Sequence, residues 1–150
     1  MKNILFVILI LIFVCCKDYS IGHYSIYNNS GRPICYYMPW MHGIHYPDTV
    51  LPEKSPNYIP IDKSRHSSYG EGKNVEDQLF ALFPTDTISV FFFDPDTLVK
   101  YKWEIIRQKY KMLIRYDLSR SDLKKLNWCI YYPPTEAMKE MKMYPPYGTE

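Results

Sequence analysis

The sequence predicts an α+β fold: a single domain with a mixed β-sheet, short packed helices and an N-terminal β-hairpin. Three observations carry that prediction. The run Thr87–Phe93 (TISVFFF) is apolar and rich in β-branched and aromatic residues. Turn sequences bound it on both sides, Pro84-Thr85-Asp86 and Asp94-Pro95-Asp96, which marks a strand buried on both faces and central to the sheet. From residue 74 onward, helix-period and strand-period segments alternate as α-β-α-β-α-β, which implies crossover units and some parallel pairing. Ahead of them, Tyr24–Tyr27 and Ile34–Met38 flank Asn28-Asn29-Ser30-Gly31, a turn sequence suited to positive φ, and so form a hairpin.

The chain opens with Lys2 and then the unbroken apolar run Ile4–Val14, the layout of a secretory signal peptide. That run is well short of the roughly 20 apolar residues that span a bilayer. It ends at Cys15-Cys16 rather than at a small-x-small cleavage site, and it resembles the lipobox of bacterial lipoproteins. Such a site wants a small residue before the modified cysteine. Cys15 meets that requirement for Cys16, whereas β-branched Val14 precedes Cys15. Cys16 is therefore the expected lipidation site, with Cys15 as the alternative, and two or three acyl chains anchor firmly at about 0.8 kcal/mol per buried methylene. The following Lys17-Asp18 resembles, with a single acidic residue, the export tag of surface lipoproteins in Bacteroidetes. The expected organisation is a signal peptide over 1–15, a lipidated N-terminus and tether over 16–23, an α+β domain over 24–133 and a C-terminal tail over 134–150.

Within the domain, Pro39–Ser68 carries prolines 39, 47, 52, 56 and 60 and reads as a long irregular segment wrapping the surface. Asn74 caps a helix whose Val75, Leu79, Leu82 and Phe83 form one apolar stripe ended by Pro84. After the central strand, Asp96 or Thr97 caps a helix running to about Gln108, with Leu98, Val99, Trp103 and Ile106 toward the sheet. Tyr110–Tyr116 reads as the next strand. Ser119 and Asp122 approximate a capping box for a short helix that points Leu123 and Leu126 inward. Trp128–Tyr132 is the last expected strand, stopped by Pro133-Pro134. Thr135–Met143 reads as a marginal helix and Tyr144–Glu150 as a frayed end.

The chain of 150 residues has a formal charge of +2 and no basic run, so nucleic acid is not an expected partner. Beyond the signal, two cysteines remain. Cys35 and Cys129 lie in strand-like segments near the two ends of the domain. A disulfide between them would close a loop of about 95 residues and stabilise by around 4 kcal/mol in the chain-entropy model. The sequence leaves open whether they bridge or stay free thiols.

His42, His45 and Asp48 are the one cluster with metal-ligand chemistry, but Gly43 and Pro47 make that segment irregular, and no metal or other cofactor is expected. Asp86, Asp94, Asp96 and Asp117 flank strand ends. Carboxylates there can do acid–base work, though beside Pro, Ser and Thr they more often form turns and caps. The best candidate binding face is aromatic: Tyr36, Tyr37, Trp40, Tyr46, Tyr58 and Tyr69.

IYNNSGRPI near the start, YPDT at 46–49, and PTDTISVFFFDPDTL followed by WEIIR, LIRYDLS and DLKKLNW resemble a family of small lipoproteins from gut Bacteroidales. The resemblance spans roughly residues 24–133 and implies location and fold, not an activity. The expected function is accordingly that of a lipid-anchored outer-membrane protein, on the cell surface or, as the alternative, on the periplasmic face. It would be a non-catalytic accessory or interaction module, not an enzyme, partnered with the membrane, the lipoprotein-processing machinery, and a glycan or an envelope protein. The alternatives are a glycan-binding lipoprotein using exposed Tyr and Trp, and a small hydrolase.

Overall fold

The structure is a computed structural model that describes residues 24–39, 46–47, 51–69, 75–81 and 85–149. It is an α+β domain built on two sheets. The strands are β1 (Tyr24–Asn28), β2 (Ile34–Tyr37), β3 (Ile59–Ile61), β4 (His66–Tyr69), β5 (Thr87–Phe93), β6 (Ile114–Ser119), β7 (Cys129–Tyr132) and β8 (Lys142–Tyr144). The helices are α1 (Val75–Ala81), α2 (Pro95–Lys100), α3 (Trp103–Gln108) and α4 (Arg120–Lys125). A small sheet runs β4-β1-β7, and a larger one runs β3-β2-β5-β6-β8.

The run Thr87–Phe93 is the middle strand of the larger sheet, and both of its faces are covered. Ile88, Val90 and Phe92 join the cluster that also holds Tyr24 and Ile26 of β1 and Ile130 of β7, so the main core lies between the two sheets. Phe91 and Phe93 point the other way, into a second cluster with Tyr37, Leu51, Trp103 and Ile106. That cluster is capped by α3, whose Trp103 Nε1 donates to Pro52 O at 2.8 Å and whose Arg107 Nε donates to Leu51 O at 2.9 Å. The domain is therefore three layers: small sheet, large sheet, and a helix with the 51–58 segment.

The N-terminal hairpin does not form. β1 and β2 enter different sheets: β1 pairs with β4 antiparallel and β7 parallel, while β2 pairs with β3 and β5. Asn28 makes the corner. It is fully buried, and its Nδ2 donates to Arg32 O at 2.8 Å and to Ile61 O and Asp62 O at 3.1 Å each. Its Oδ1 accepts from the Ser30 N–H and hydroxyl, at 3.0 and 2.6 Å. A turn sequence that would close a hairpin instead ties the 29–33 corner to the end of β3. The parallel pairing inferred from the alternating elements is likewise confined to β1–β7, and every pairing in the larger sheet is antiparallel.

Four local boundaries also differ from expectation. The helix expected over 96–108 is two helices, because Tyr101 and Lys102 are extended (ψ 144° and 146°) and Asp94, not Asp96 or Thr97, caps the first. The break turns Trp103 and Ile106 to the core and leaves Val99 89% exposed. β6 begins at Ile114 rather than Tyr110, because Tyr110 takes φ 51° and turns the chain there. The expected tail over 134–150 is not one over its described residues, 134–149: β8 pairs with β6, and Met138, Met141 and Met143 are buried in the main core. Thr135–Met143 contributes a 3₁₀ turn (Glu136–Met138) and then this strand.

The capping box stands as the sequence indicates. The Ser119 side chain accepts from Asp122 N, the Asp122 carboxylate accepts from Ser119 N, and Leu123 and Leu126 are buried. After α4, Asn127 and Trp128 both take positive φ, at 49° and 61°. This is a costly conformation for a bulky residue. It delivers the Trp128 ring to the core, edge-on to Phe80 with centroids 6.3 Å apart. Among the described residues no helix is long and apolar enough to cross a membrane.

Candidate functional site

Cys15, Cys16, Trp40, His42, His45 and Asp48 lie outside the described residues, so the lipidation and metal expectations are not addressed by the fold. Among the described residues no group of three or more His, Cys, Asp or Glu side chains is placed to hold a metal ion.

The expected aromatic face comes apart. Tyr36 and Tyr37 are 1% and 3% exposed, because β2 is covered on both sides like the β5 strand it pairs with. Burial also pushes the Tyr37 hydroxyl up to about 12, with a smaller contribution from Tyr58. Tyr58 is half-buried, edge-on to Phe93 and Trp103 with centroids at 5.3 and 6.0 Å. Tyr46 is half-buried, its hydroxyl accepting from Lys142 Nζ at 2.7 Å beneath an ammonium 4.7 Å from its ring centre. Tyr69 pairs through its backbone with Tyr24 at the edge of the small sheet. Alternation in a strand covered on both faces buries every residue, so a tyrosine-rich run signals core there rather than surface.

The disulfide is not made. Cys35 and Cys129 are free thiols on strands of different sheets, Cys35 opposite Phe93 and Cys129 opposite Ser25. The condition for bridging them, that their strands be neighbours, is not met. Burial, then the negative charge of Asp94, raises the Cys35 thiol above its ordinary pKa.

Three of the four strand-end carboxylates, Asp86, Asp94 and Asp117, have structural partners, and Asp96 lines an open concavity. Asp94 Oδ1 accepts from Asp96 N at the start of α2, and Asp86 pairs with Arg120 at 3.0 Å. Asp117 is buried. It accepts from Ser89 Oγ at 2.7 Å and lies 3.0 Å from Arg115 Nη2, and Arg115 in turn donates to Tyr110 Oη at 2.9 Å. Asp117 and Arg115 are two residues apart on β6 and so share a face, opposite Ser89 and Phe91 of β5. This polar string on the strand knits β5 and β6 to the turn at Tyr110. It is a largely buried unit held by the Arg115–Asp117 charge pair, in which Arg115 Nε has no hydrogen-bond partner among the described residues.

An aromatic row absent from the sequence expectation runs across the outer face of the small sheet. His66, Tyr27 and Tyr131 are in register and stack at 5.1 and 5.3 Å with interplanar angles of 26° and 22°. Near-parallel stacking consumes the inner ring faces, so the row offers edges, hydroxyls and an imidazole to solvent rather than the coplanar platform a sugar ring stacks on. Only strand pairing reveals it, because the three residues are far apart in sequence.

Open concavities lie at the end of the molecule where β5 finishes. One, about 370 Å³, is lined by Asp94, Asp96, Lys100, Tyr101, Lys111 and Met112 among others. Lys111 and Lys100 place ammonium groups 4.5 and 5.4 Å from the centre of the Tyr101 ring. The arrangement suits polar recognition: fixed cations on an aromatic ring beside two carboxylates.

No family model matches the chain, and no curated protein or solved structure does either.

Proposed function

We propose that this chain is a lipid-anchored outer-membrane protein whose α+β domain serves as a non-catalytic accessory or interaction module. The observation that carries the proposal is the order Lys2, Ile4–Val14, Cys15-Cys16, followed after a tether of only a few residues by β1 at Tyr24. A tether of about eight residues reaches at most about 29 Å at 3.6 Å per residue. Anchored at Cys16, the domain is confined to the membrane surface, and β1, the middle strand of the small sheet, carries the tether's load directly into the core.

Three of the four carboxylates that a hydrolase reading would draw on, Asp94, Asp86 and Asp117, are engaged in a cap, in an ion pair and in the Ser89–Asp117–Arg115 unit. A glycan-stacking reading on residues 36–69 loses Tyr36 and Tyr37 to the core and Tyr58 to a half-buried packing role. Neither favours an active site over a module, and the resemblance to Bacteroidales lipoproteins agrees with the anchored reading.

Two measurements test this. The mature protein extracted in detergent is expected to carry the mass of a diacylated or triacylated cysteine. A Cys15→Ser/Cys16→Ser variant is expected as an unprocessed or soluble species, and full membrane retention of that variant at mature size overturns the anchor. Protease added to intact cells is expected to digest the domain, in keeping with surface display; protection until lysis places it on the periplasmic face instead.

A further inference from the structure

The corner built by Asn28 does more than join two sheets. It holds the 29–33 turn against the 62–65 turn, and those two turns line an open cleft of about 530 Å³ formed by Gly31, Arg32, Pro33, Asp62, Lys63 and Arg65. Three cationic side chains share this cleft with one carboxylate, and all four residues are exposed. The sole ion pair in which any of the three cations takes part among the described residues is Arg32 with Asp94, at 4.0 Å.

Three cations against the Asp62 carboxylate and the long Arg32–Asp94 pair leave the cleft net positive, which favours binding an anion there. The backbone is committed to the scaffold, since Asn28 N donates to Arg65 O at 2.9 Å and Arg65 N to Asp62 O at 3.2 Å. The cationic heads are left for solvent. A Cβ on Gly31 would meet nothing within 4 Å, so the mouth is open to a ligand larger than a single ion.

The cleft also lies at the far end of β1 from the tether. The chain enters the domain at Tyr24, and the cleft begins just beyond Asn28. A lipid-anchored domain would therefore turn it away from its own bilayer. Asp62 narrows the ligand further. A carboxylate among the cations repels an unbroken sheet of anionic headgroups or a run of acidic side chains, but it accepts hydrogen bonds from hydroxyls. A ligand that alternates oxyanions with hydroxyls satisfies both.

We infer that this cleft binds an acidic saccharide, its carboxylate or sulfate held by Arg32, Lys63 and Arg65 and its hydroxyls by Asp62. The inference rests on the proposed interaction role and supplies the chemistry of its ligand. It differs from ring stacking in that charge, not an aromatic face, does the recognising.

The test uses the full-length protein in neutral detergent micelles, with polygalacturonate and dextran sulfate as probes and uncharged dextran as the comparison. Binding to one or both polyanions is expected, weakening at least tenfold between 50 and 300 mM salt as screening shortens its reach. The Arg32→Gln/Lys63→Gln/Arg65→Gln variant is expected to lose at least tenfold in affinity with its melting temperature unchanged, because only the backbones of Arg32 and Arg65 enter the corner. Equal binding of uncharged dextran, unaltered affinity of the triple variant, or binding to neither acidic saccharide overturns the inference. Because the protein is in micelles, a failed saccharide assay leaves the anchor standing, and a mature protein lacking the acyl mass fails the anchor alone.

Discussion

Replacing Asn28 with alanine should be among the most damaging single changes in the small sheet. The side chain is fully buried and takes part in five hydrogen-bond contacts: its two amide protons are shared among three carbonyls, and its oxygen accepts two bonds from Ser30. The bond to Ile61 O is buried on both sides, so its loss strands a carbonyl at about 1–3 kcal/mol. The others are partly exposed and recover water, at about 0.5 kcal/mol each. The total is about 3–5 kcal/mol, a large share of the roughly 5–15 kcal/mol available to a domain of this size. Urea unfolding followed by circular dichroism reads the free-energy change, and a thermal melt should fall by roughly 10 °C. Asn28→Asp discriminates further, because its carboxylate would face three carbonyl oxygens with no donor and should be more destabilising than alanine. Asn29→Ala, one residue on at an exposed position, should change stability by less than about 0.5 kcal/mol. A loss below about 1 kcal/mol for Asn28→Ala, or an Asp variant as stable as the native protein, refutes the view that this amide holds the corner.

Asp117→Ala should cost about 3–5 kcal/mol by leaving Arg115 without its buried partner, and a paired Arg115→Met/Asp117→Leu change should recover most of it; urea midpoints for the three variants decide the point. A chain stopped after Pro133 should fail to give a cooperative melt, since it removes β8 and the buried Met138, Met141 and Met143; a sharp transition like the native one would return 134–150 to the status of a tail. Stability should decline in alkali. The Tyr37 hydroxyl titrates near 10 when unfolded and is pushed up to about 12 when folded, so its contribution is complete below pH 10 and is lost as pH rises to about 12, by roughly 2–3 kcal/mol; a denaturation midpoint flat from pH 9 to 12 would contradict this. In unreduced, unfolded protein, Cys35 and Cys129 should both alkylate, and in the folded protein Cys129 should react first, because Cys35 is buried and its thiol is raised; a missing pair of labels would restore the disulfide.

Local chemistry was legible in the sequence wherever neighbours in the chain decide the structure. Thr87–Phe93 could be read as the central strand because only burial on both faces suits seven such residues between turn formers. Ser119 and Asp122 could be read as a box because both halves of the motif sit within one helical turn. A helix after the Asp94-Pro95 turn was legible too, but its cap, read as Asp96 or Thr97, is Asp94.

Where the outcome depends on which strands meet, the sequence was silent. Tyr24–Tyr27 and Ile34–Met38 have the pattern of a hairpin, and only the buried Asn28, reaching carbonyls more than thirty residues away, sends them to separate sheets. The same blindness hid the aromatic row, whose His66, Tyr27 and Tyr131 become neighbours through register alone, and the cationic cleft, whose two halves lie on turns about thirty residues apart. It also misplaced the tyrosines of β2, since alternation cannot say whether a strand has one covered face or two, and it missed β8, three residues long and held by methionines whose burial no local pattern announces. By itself the sequence determined the α+β class, the central strand and the Ser119 capping box, because those follow from short-range sterics, hydrogen bonding and hydropathy. The tertiary structure alone decided the two-sheet architecture, the pairing and every surface constellation, because contacts between distant segments are selected by total burial and by long-range hydrogen bonds that no window of the chain contains.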